Sequence, residues 1–521
     1  MFKPLKNIKV IDLTGVLAGP YSTYQLALLG AEVIKIENLD CGDWTRLGGK
    51  DKDLNKQLMG TSFLIQNSEK KSVQIDLKSN KGKEIALNLI KSADVFVENM
   101  RPGKADALGL GWEKISSIHD KIVYCSISAY GQDGPLKKRG AYDHIVQGMT
   151  GIMTTTGTKE SGPTKVGAPY IDYATGLNAA FAITAALHEL KESNKSIRID
   201  VSMMDTSLLL MSNMVTEHLN SGWIPQPMGN EAQSGSPSSG MYKTKTDPIL
   251  LAANNNHQFL NLCDALNTIK PFDKEKWKLE ENRKNNTKKL REELQEIFNL
   301  KTAEFLENLL NSFDVPSGKI RTLPEVLSEE QFIKRKLWNN INIKSINKNF
   351  LVPSIGFKIN ENAVVPENPP PLLGGDTKSI LNAIDINDDE IDSLITWCGA
   401  NDFDLTLIET MPLGDTGVLR SNNYLSLSEL KNSLMKNWTI KDINFKSGGP
   451  ARYSYIKEAN LRLGMITPMS RNFCSDCNRI RVTCTGKIYM CLGQNNSIDL
   501  KEALRSKKSF QSLENLIDQS I

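Results

Sequence analysis

The sequence predicts an α/β protein in which a parallel sheet is covered by helices, and two observations carry that expectation. The first is the start of the chain. Lys9 to Asp12 is a short apolar strand, Thr14-Gly-Val-Leu-Ala-Gly-Pro20 leads into a helix through Leu29, and Glu32 to Glu37 follows Gly30-Ala31 as a second strand. That succession is one βαβ unit. The second is that the alternation continues, with a strand at Ser72 to Leu77, a helix at Gly82 to Ser92, and strands at Asp94 to Glu98 and Ile122 to Ser128. The chain has no Gly-x-Gly-x-x-Gly after its first strand and no Gly-Lys-Ser/Thr, so motif gives no support to ordinary dinucleotide binding.

A length of 521 residues suggests about three folding units, and 40% apolar residues suffice for ordinary cores. The formal charge of +3 implies neither a nucleic-acid nor a membrane-surface partner. No apolar run reaches the roughly 18 residues of a membrane span. The opening Met-Phe-Lys-Pro-Leu-Lys runs into a strand without a signal-peptide core, so a cytoplasmic location is expected. Cys41, Cys125, Cys263 and Cys398 are scattered and read as buried free thiols. Cys474, Cys477, Cys484 and Cys491 are clustered, which in a cytosolic protein reads as metal or redox chemistry.

One stretch delivers a lone carboxylate to the mouth of a long apolar helix, Ala174 to Leu190. It is Val166-Gly-Ala-Pro-Tyr-Ile-Asp-Tyr-Ala-Thr-Gly176, with Asp172 at its centre. Local pattern alone makes Asp172 a helix cap. Residues 222 to 330 read as a smaller α+β insert, with a hairpin over Tyr242 to Asn254 and then helices. The mixed charges of Lys274 to Glu296 read as solvated helix faces. Gln233-Ser-Gly-Ser-Pro-Ser-Ser-Gly240 reads either as a mobile loop over an active site or as a plain flexible connection.

Taken together, the first 385 residues resemble the class III CoA-transferases, a family with formyl-CoA and carnitine CoA-transferase-like members that also contains acyl-CoA racemases. The resemblance rests on Ile11-Asp-Leu-Thr-Gly-Val-Leu-Ala-Gly-Pro20, Leu29-Gly-Ala-Glu-Val-Ile-Lys-Ile-Glu37 and Gly42-Asp-Trp-Thr-Arg46. It continues through Lys70-Lys-Ser-Val-Gln-Ile-Asp-Leu77, Asp94-Val-Phe-Val-Glu-Asn-Met-Arg-Pro-Gly103, Tyr142-Asp143 and Pro369-Pro-Pro-Leu-Leu-Gly374. It implies a large Rossmann-like domain over 1–221 and 331–385, a small domain over 222–330, an interlocked homodimer, and Asp172 as catalytic nucleophile. It also implies coenzyme A contacts at Ala18, Lys70, Lys71, Glu98, Asn99, Met100 and Arg101, with Tyr142 and Asp143 lining the approach to the nucleophile. Acyl-CoA and carboxylate substrates follow. Asn38 and Ala107 stand where some members carry arginine, which alters the grip on the adenosine end. Racemase members place a histidine before the Asp of a Gly-His-Asp pattern; Gly140-Ala-Tyr-Asp-His144 has tyrosine there, which favours transfer over racemisation.

From Asn387-Asp-Asp-Glu-Ile391 onward the chain resembles the C-terminal iron–sulfur domain of the radical-SAM GTP 3',8-cyclase that begins molybdenum cofactor biosynthesis. The residues are Leu407-Ile-Glu-Thr-Met-Pro-Leu-Gly414, Gly449-Pro-Ala-Arg-Tyr453, Ile466-Thr-Pro-Met-Ser470, Asn472-Phe-Cys-Ser-Asp-Cys-Asn-Arg-Ile-Arg481 and Cys491-Leu-Gly493. The resemblance implies a 4Fe-4S cluster on Cys474, Cys477 and Cys491, with one iron left open, and GTP contacts at Arg479 and Arg481. Cys484 falls at a non-ligand position. The Cys-x3-Cys-x2-Cys motif of the SAM-cleaving cluster is absent from the sequence, so residues 386–521 read as a partial domain unable to cyclise GTP alone. The alternative reading of the whole chain is accordingly an incomplete molybdenum-cofactor protein. The composite reads either as a true fusion or as a join between two genes; no flexible linker is legible between Ile384 and Leu407, which leans towards the join.

Overall fold

The computed structural model describes residues 2–384, 388–409, 426–435, 437–447, 449, 451–467 and 505, with the strands Arg481–Val482, Lys487–Tyr489 and Ser497–Asp499. It divides into two compact units, Met1–Thr377 and Lys378–Ile521, the division falling ahead of the position 385 expected from sequence.

The first unit is built on six parallel strands: β1 (Lys9–Leu13), β2 (Glu32–Glu37), β3 (Lys70–Gln74), β4 (Val95–Glu98), β5 (Val123–Ser128) and β6 (Ile197–Ser202). Their order is β3-β2-β1-β4-β5-β6. A parallel sheet buried on both faces uses near-continuous apolar strands, and every residue of β5 is buried. The order reverses between β1 and β4, which opens a crevice beyond the carboxyl ends of those two strands. β3 begins at Lys70 rather than at the expected Ser72, because Lys70 and Ser72 both turn into a buried polar cluster that the apolar pattern does not register.

The helices Ala18–Leu28 and Tyr170–Ser193 pack together, joining a core that includes Val10, Val33, Val97, Cys125, Ala179 and Ile183. The two helices come close at Gly176, where an added Cβ would lie 2.7 Å from the Ala18 carbonyl oxygen. The long helix begins earlier than expected and ends at Asn194 in the left-handed conformation (φ 49°).

The expected hairpin forms as Gly240–Tyr242 against Ile249–Leu251, with Ser317–Lys319 completing a three-stranded antiparallel sheet. Helices Asn256–Asn267, Thr287–Phe298 and Ala303–Ser312 cover it around Phe259, Trp277, Leu294 and Phe298, a separate apolar core. The charged stretch is not solvated throughout. Arg283 is buried, lies 4.2 Å over the Phe259 ring, and donates to the carbonyls of Trp277 (2.8 Å) and Lys278 (3.0 Å). The serine–glycine segment is likewise anchored at its far end. Its tip at Gln233–Gly235 is exposed, but the hydroxyls of Ser236 and Ser238 both donate to Ala253 O, at 2.9 and 3.0 Å. The chain returns to the large sheet through Pro371 to Thr377, where Ser72 N donates to Asp376 and Gln74 N to Thr377.

In the second unit, Leu405–Ile408 runs parallel to Leu461–Ile466, and Arg452–Ile456 and Ile440–Asp442 extend the sheet antiparallel. Helices Asp388–Ala400 and Leu427–Leu434 supply Ile395, Leu430 and Leu434 to its core. Among the described residues of the chain, no helix is long and apolar enough to cross a membrane.

Candidate active site

The crevice at the strand-order reversal is held by side chains rather than by a glycine-rich phosphate loop. After β1, Gly15 donates its N–H to Asn99 Oδ1 (2.9 Å) and accepts from Asn99 Nδ2 (2.7 Å), so the loops after β1 and β4 are clamped together. Val16 has φ 75°, a costly conformation for a β-branched residue. Its N–H donates to the Asp43 carboxylate and its carbonyl accepts from Gln66, which fix the strained turn just before the helix at Ala18.

Beneath that turn lies a buried set of three cations and three anions: Lys35, Arg46 and Lys70 with Asp12, Glu37 and Asp43. Arg46 pairs in bidentate fashion with Glu37, at 2.8 and 2.6 Å, and also donates to Pro371 O. Lys35 donates to Thr14 O at 2.6 Å and pairs with Asp43 at 3.3 Å. Burial opposes charge on Asp12, yet Lys35 and Lys70 hold its carboxyl down at about 2.

This corrects the expectation for Lys70. Its ammonium has no exposed surface and spends its donors on Asp12 (3.0 Å), Pro20 O (2.8 Å) and Thr23 Oγ1 (2.8 Å). It supports the crevice from below and does not reach into it. Glu98 is corrected in the same way, being buried and bonded to Met100 N at 2.8 Å, with its carboxyl pushed up by burial. Lys71, by contrast, is exposed and pairs with Glu32 at 2.5 Å.

Asp172 is the third residue of the helix Tyr170–Ser193, inside its first turn rather than at the cap. The cap comes from another element. Asp143, first residue of the helix Asp143–Met149, accepts through Oδ2 from the N–H groups of Ile171 (2.9 Å) and Asp172 (3.2 Å). Among the described residues the Asp172 carboxylate accepts no hydrogen bond. Burial and the neighbouring Asp143 charge push it up to about 7. An Asp143→Asn variant keeps an acceptor but loses that charge, so the Asp172 midpoint is expected to fall while burial, the larger cause, still holds it above ordinary carboxylate values. Titration of an Asp172-dependent rate reads it directly.

Asn99, Met100 and Arg101 share a cavity of about 290 Å³ with Tyr142, Gly140 and Arg139. Four of the residues expected at coenzyme A are therefore brought together, and Asp143 follows Tyr142 directly in the chain. Arg139 was missed by the sequence reading. Its only signal is the run Lys137-Lys138-Arg139, which in isolation is a solvated charge cluster. Ala18 is buried at the start of its helix. Asn38 organises its own turn, accepting from Asp40 N and Gly42 N and donating to Gly42 O. His144 is exposed, with its ring parallel to that of Tyr142 at 6.4 Å. Of the scattered cysteines, Cys125, Cys263 and Cys398 are buried free thiols as expected, while Cys41 is half-buried.

Cys474, Cys477, Cys484, Cys491 and Arg479 lie outside the described residues, as does the side chain of Arg481, which opens the strand Arg481–Val482.

Comparison with known proteins decides the assignment. Residues 5–377 match the family model "CoA-transferase family III". The chain belongs to that family. It is a CoA-transferase, and residues 403–521 add a segment matching the model "Molybdenum Cofactor Synthesis C". Succinyl-CoA:glutarate CoA-transferase of Homo sapiens is 35% identical over 385 residues, covering 73% of this chain and 86% of that protein. Acetyl-CoA:oxalate CoA-transferase of Acetobacter aceti is 32% identical, over 64% of this chain and 85% of that one. The crystal structure of a CAIB/BAIF family protein from Brucella suis superposes with a TM-score of 0.64 at 28% identity, covering 74% of this chain and all (100%) of that one. For the second unit, the GTP 3',8-cyclase of Sinorhizobium medicae is 47% identical over 152 residues, 29% of this chain. The chain spans only 44% of that cyclase's length.

Proposed function

We propose that this CoA-transferase works through Asp172, moving CoA from an acyl-CoA to a free carboxylate. The observation that carries this reading is a half-buried carboxylate that accepts no hydrogen bond among the described residues and is pushed up to about 7, its backbone N–H held by Asp143, which follows Tyr142 of the cavity walled by Arg101 and Arg139. A partly desolvated carboxylate is a better nucleophile than a solvated one.

An Asp172 oxygen attacks the thioester carbonyl, the C–S bond breaks, and a mixed anhydride forms as the CoA thiolate leaves. The thiolate then attacks the Asp172 carbonyl carbon, expelling the donor's carboxylate and leaving an enzyme-bound CoA thioester. The acceptor carboxylate attacks that thioester, giving a second mixed anhydride and thiolate. Attack of the thiolate on the acceptor's acyl carbon yields the new acyl-CoA and regenerates Asp172. The thioester is conserved throughout, and no water enters.

Ala18, Lys71, Asn99, Met100, Arg101 and Tyr142 are proposed to hold coenzyme A, with Arg101 and Arg139 suited to its phosphates. Succinyl-CoA and a short dicarboxylic acid are the first substrates to test, since the relatives' names include glutarate and oxalate. Intact-protein mass spectrometry after incubation with succinyl-CoA is expected to show a CoA adduct that Asp172→Ala lacks. No adduct with any acyl-CoA of a broad panel overturns the reading.

The same reading includes a homodimer in the cytoplasm. Strongly exposed apolar side chains at Phe181 (74%), Leu209 (65%) and Leu219 (76%) favour a second copy, and the free thiols suit a reducing compartment. Light scattering at twice the chain mass tests the dimer.

For the second unit, the proposal is a 4Fe-4S cluster on the three thiolates of Cys474, Cys477 and Cys491, with Arg479 and Arg481 facing a GTP triphosphate. What supports it is the 403–521 family match and the Cys-x2-Cys-x13-Cys spacing. Anaerobic reconstitution is expected to give about four irons per chain, lost in Cys477→Ala, with no cyclised GTP formed. Zinc in place of iron counts against it. A continuous DNA read across the codons for residues 370 to 420 tests whether one polypeptide carries both units.

A further inference from the structure

Gln147 has no exposed surface, and its side chain joins the helix that carries Asp143 to the strap at Val166. It lies on the helix Asp143–Met149, one turn after Asp143, and its Nε2 donates to Asp143 Oδ1 at 2.5 Å. Its Oε1 accepts from the N–H of Val166 at 2.9 Å, at the start of the strap that leads to Asp172. The amide's orientation is fixed by chemistry, because Val166 N–H only donates and a carboxylate only accepts. With Oδ1 taken by Gln147, the other Asp143 oxygen is left aimed at Ile171 N and Asp172 N. Val146, Ile171 and Met203 pack the same junction from three helices.

We infer that Gln147 is a positioning residue for the nucleophile: its amide bridges Asp143 and Val166, and so sets the approach of the Asp172 carboxylate to the thioester. A neutral group that both donates and accepts is required there. Leucine can do neither. A glutamate does both only while protonated, donating through O–H to Asp143 and accepting from Val166 through its carbonyl oxygen. Once ionised it faces Asp143 with like charge and has no donor. The titratable side chains on the elements packed around Gln147 are Asp143 and His144 on its own helix, Lys165 in the strap, Tyr170, Asp172 and Tyr173 in the first turn of the long helix with His188, Glu189, Lys191 and Glu192 at its far end, and Asp205 on the helix Met203–Leu210.

This role rests on Asp172 being the nucleophile, so the test reads the adduct first. Enzyme–CoA adduct formation and steady-state transfer are measured from pH 5 to 9 for wild type, Gln147→Leu and Gln147→Glu. Wild type is expected to rise with pH to a plateau. Gln147→Leu is expected to lose about 10- to 100-fold in kcat, with KM for acyl-CoA changed less than about 2-fold. Gln147→Glu is expected to gain a descending limb at high pH that wild type lacks, and to approach wild-type activity on the acid side. Should Gln147→Leu fail to fold, the Gln147→Glu profile alone decides. A wild-type adduct together with a Gln147→Glu profile of unchanged shape overturns the role of Gln147 alone. No wild-type adduct overturns the nucleophile assignment, and this role with it.

Discussion

An Asp172→Asn enzyme is expected to bind acyl-CoA, form no adduct and lose at least about 10³-fold in kcat, since an amide can neither attack nor carry the CoA thioester. The same variant is expected to be more stable than wild type at pH 8. In the folded chain burial and Asp143 raise the Asp172 carboxyl to about 7 from 3.8. Between those values the folded state binds a proton that the unfolded state has lost, so stability falls as pH rises through the window. The penalty is absent below pH 4 and complete above 7. Relieving it is expected to add about 1–2 kcal/mol at pH 8, after discounting for solvent screening, and almost nothing at pH 4. Paired calorimetric scans at the two pH values check this. The transfer rate of wild type is expected to climb through the same range, because only the ionised carboxylate attacks. A variant that loses activity with no pH-dependent gain in stability would mean that Asp172 is not held in the disfavoured state described above.

Replacing Lys70 with methionine is expected to cost about 3–5 kcal/mol, because Asp12 then keeps its charge with one of its two buried cations gone. The KM for acyl-CoA should change little in whatever fraction remains folded. A residue gripping a phosphate would show the reverse, a raised KM with stability kept. Calorimetry of the full chain, following the transition that shifts, separates the two. Adding Asp12→Asn to Lys70→Met should recover part of the loss, since it removes the orphaned charge. Acid is expected to act on the same cluster. The Asp12 carboxyl is held down at about 2 against an ordinary 3.8, so its contribution is present above pH 4 and lost as pH falls through 2.

These two residues mark how far the sequence could be read. The strand–helix alternation, the hairpin and the long helix after Val166 were all legible, because a strand or helix announces itself through the spacing of its own apolar residues. Asp172 was legible as a candidate nucleophile, through the motifs around it. Gln147 was not: a lone glutamine in a helix carries no pattern, and the role proposed for it comes from the two segments it ties together. Arg139 was hidden for a similar reason, since nothing in Lys137-Lys138-Arg139 says which of the three lines the cavity that Arg101 also lines.

By itself, the sequence determined the fold class, the position of the lone carboxylate and the presence of two unlike parts. The tertiary structure alone decided which charges are buried and what they hold. Lys70, Arg46 and Arg283 all look like surface residues in the chain. Each is buried because distant segments bring it partners: Asp12 to Lys70, Glu37 and Pro371 to Arg46, Phe259 and Asn256 to Arg283. A charge enters a protein interior only when its counter-charges and acceptors arrive with it, and those come from elsewhere in the chain.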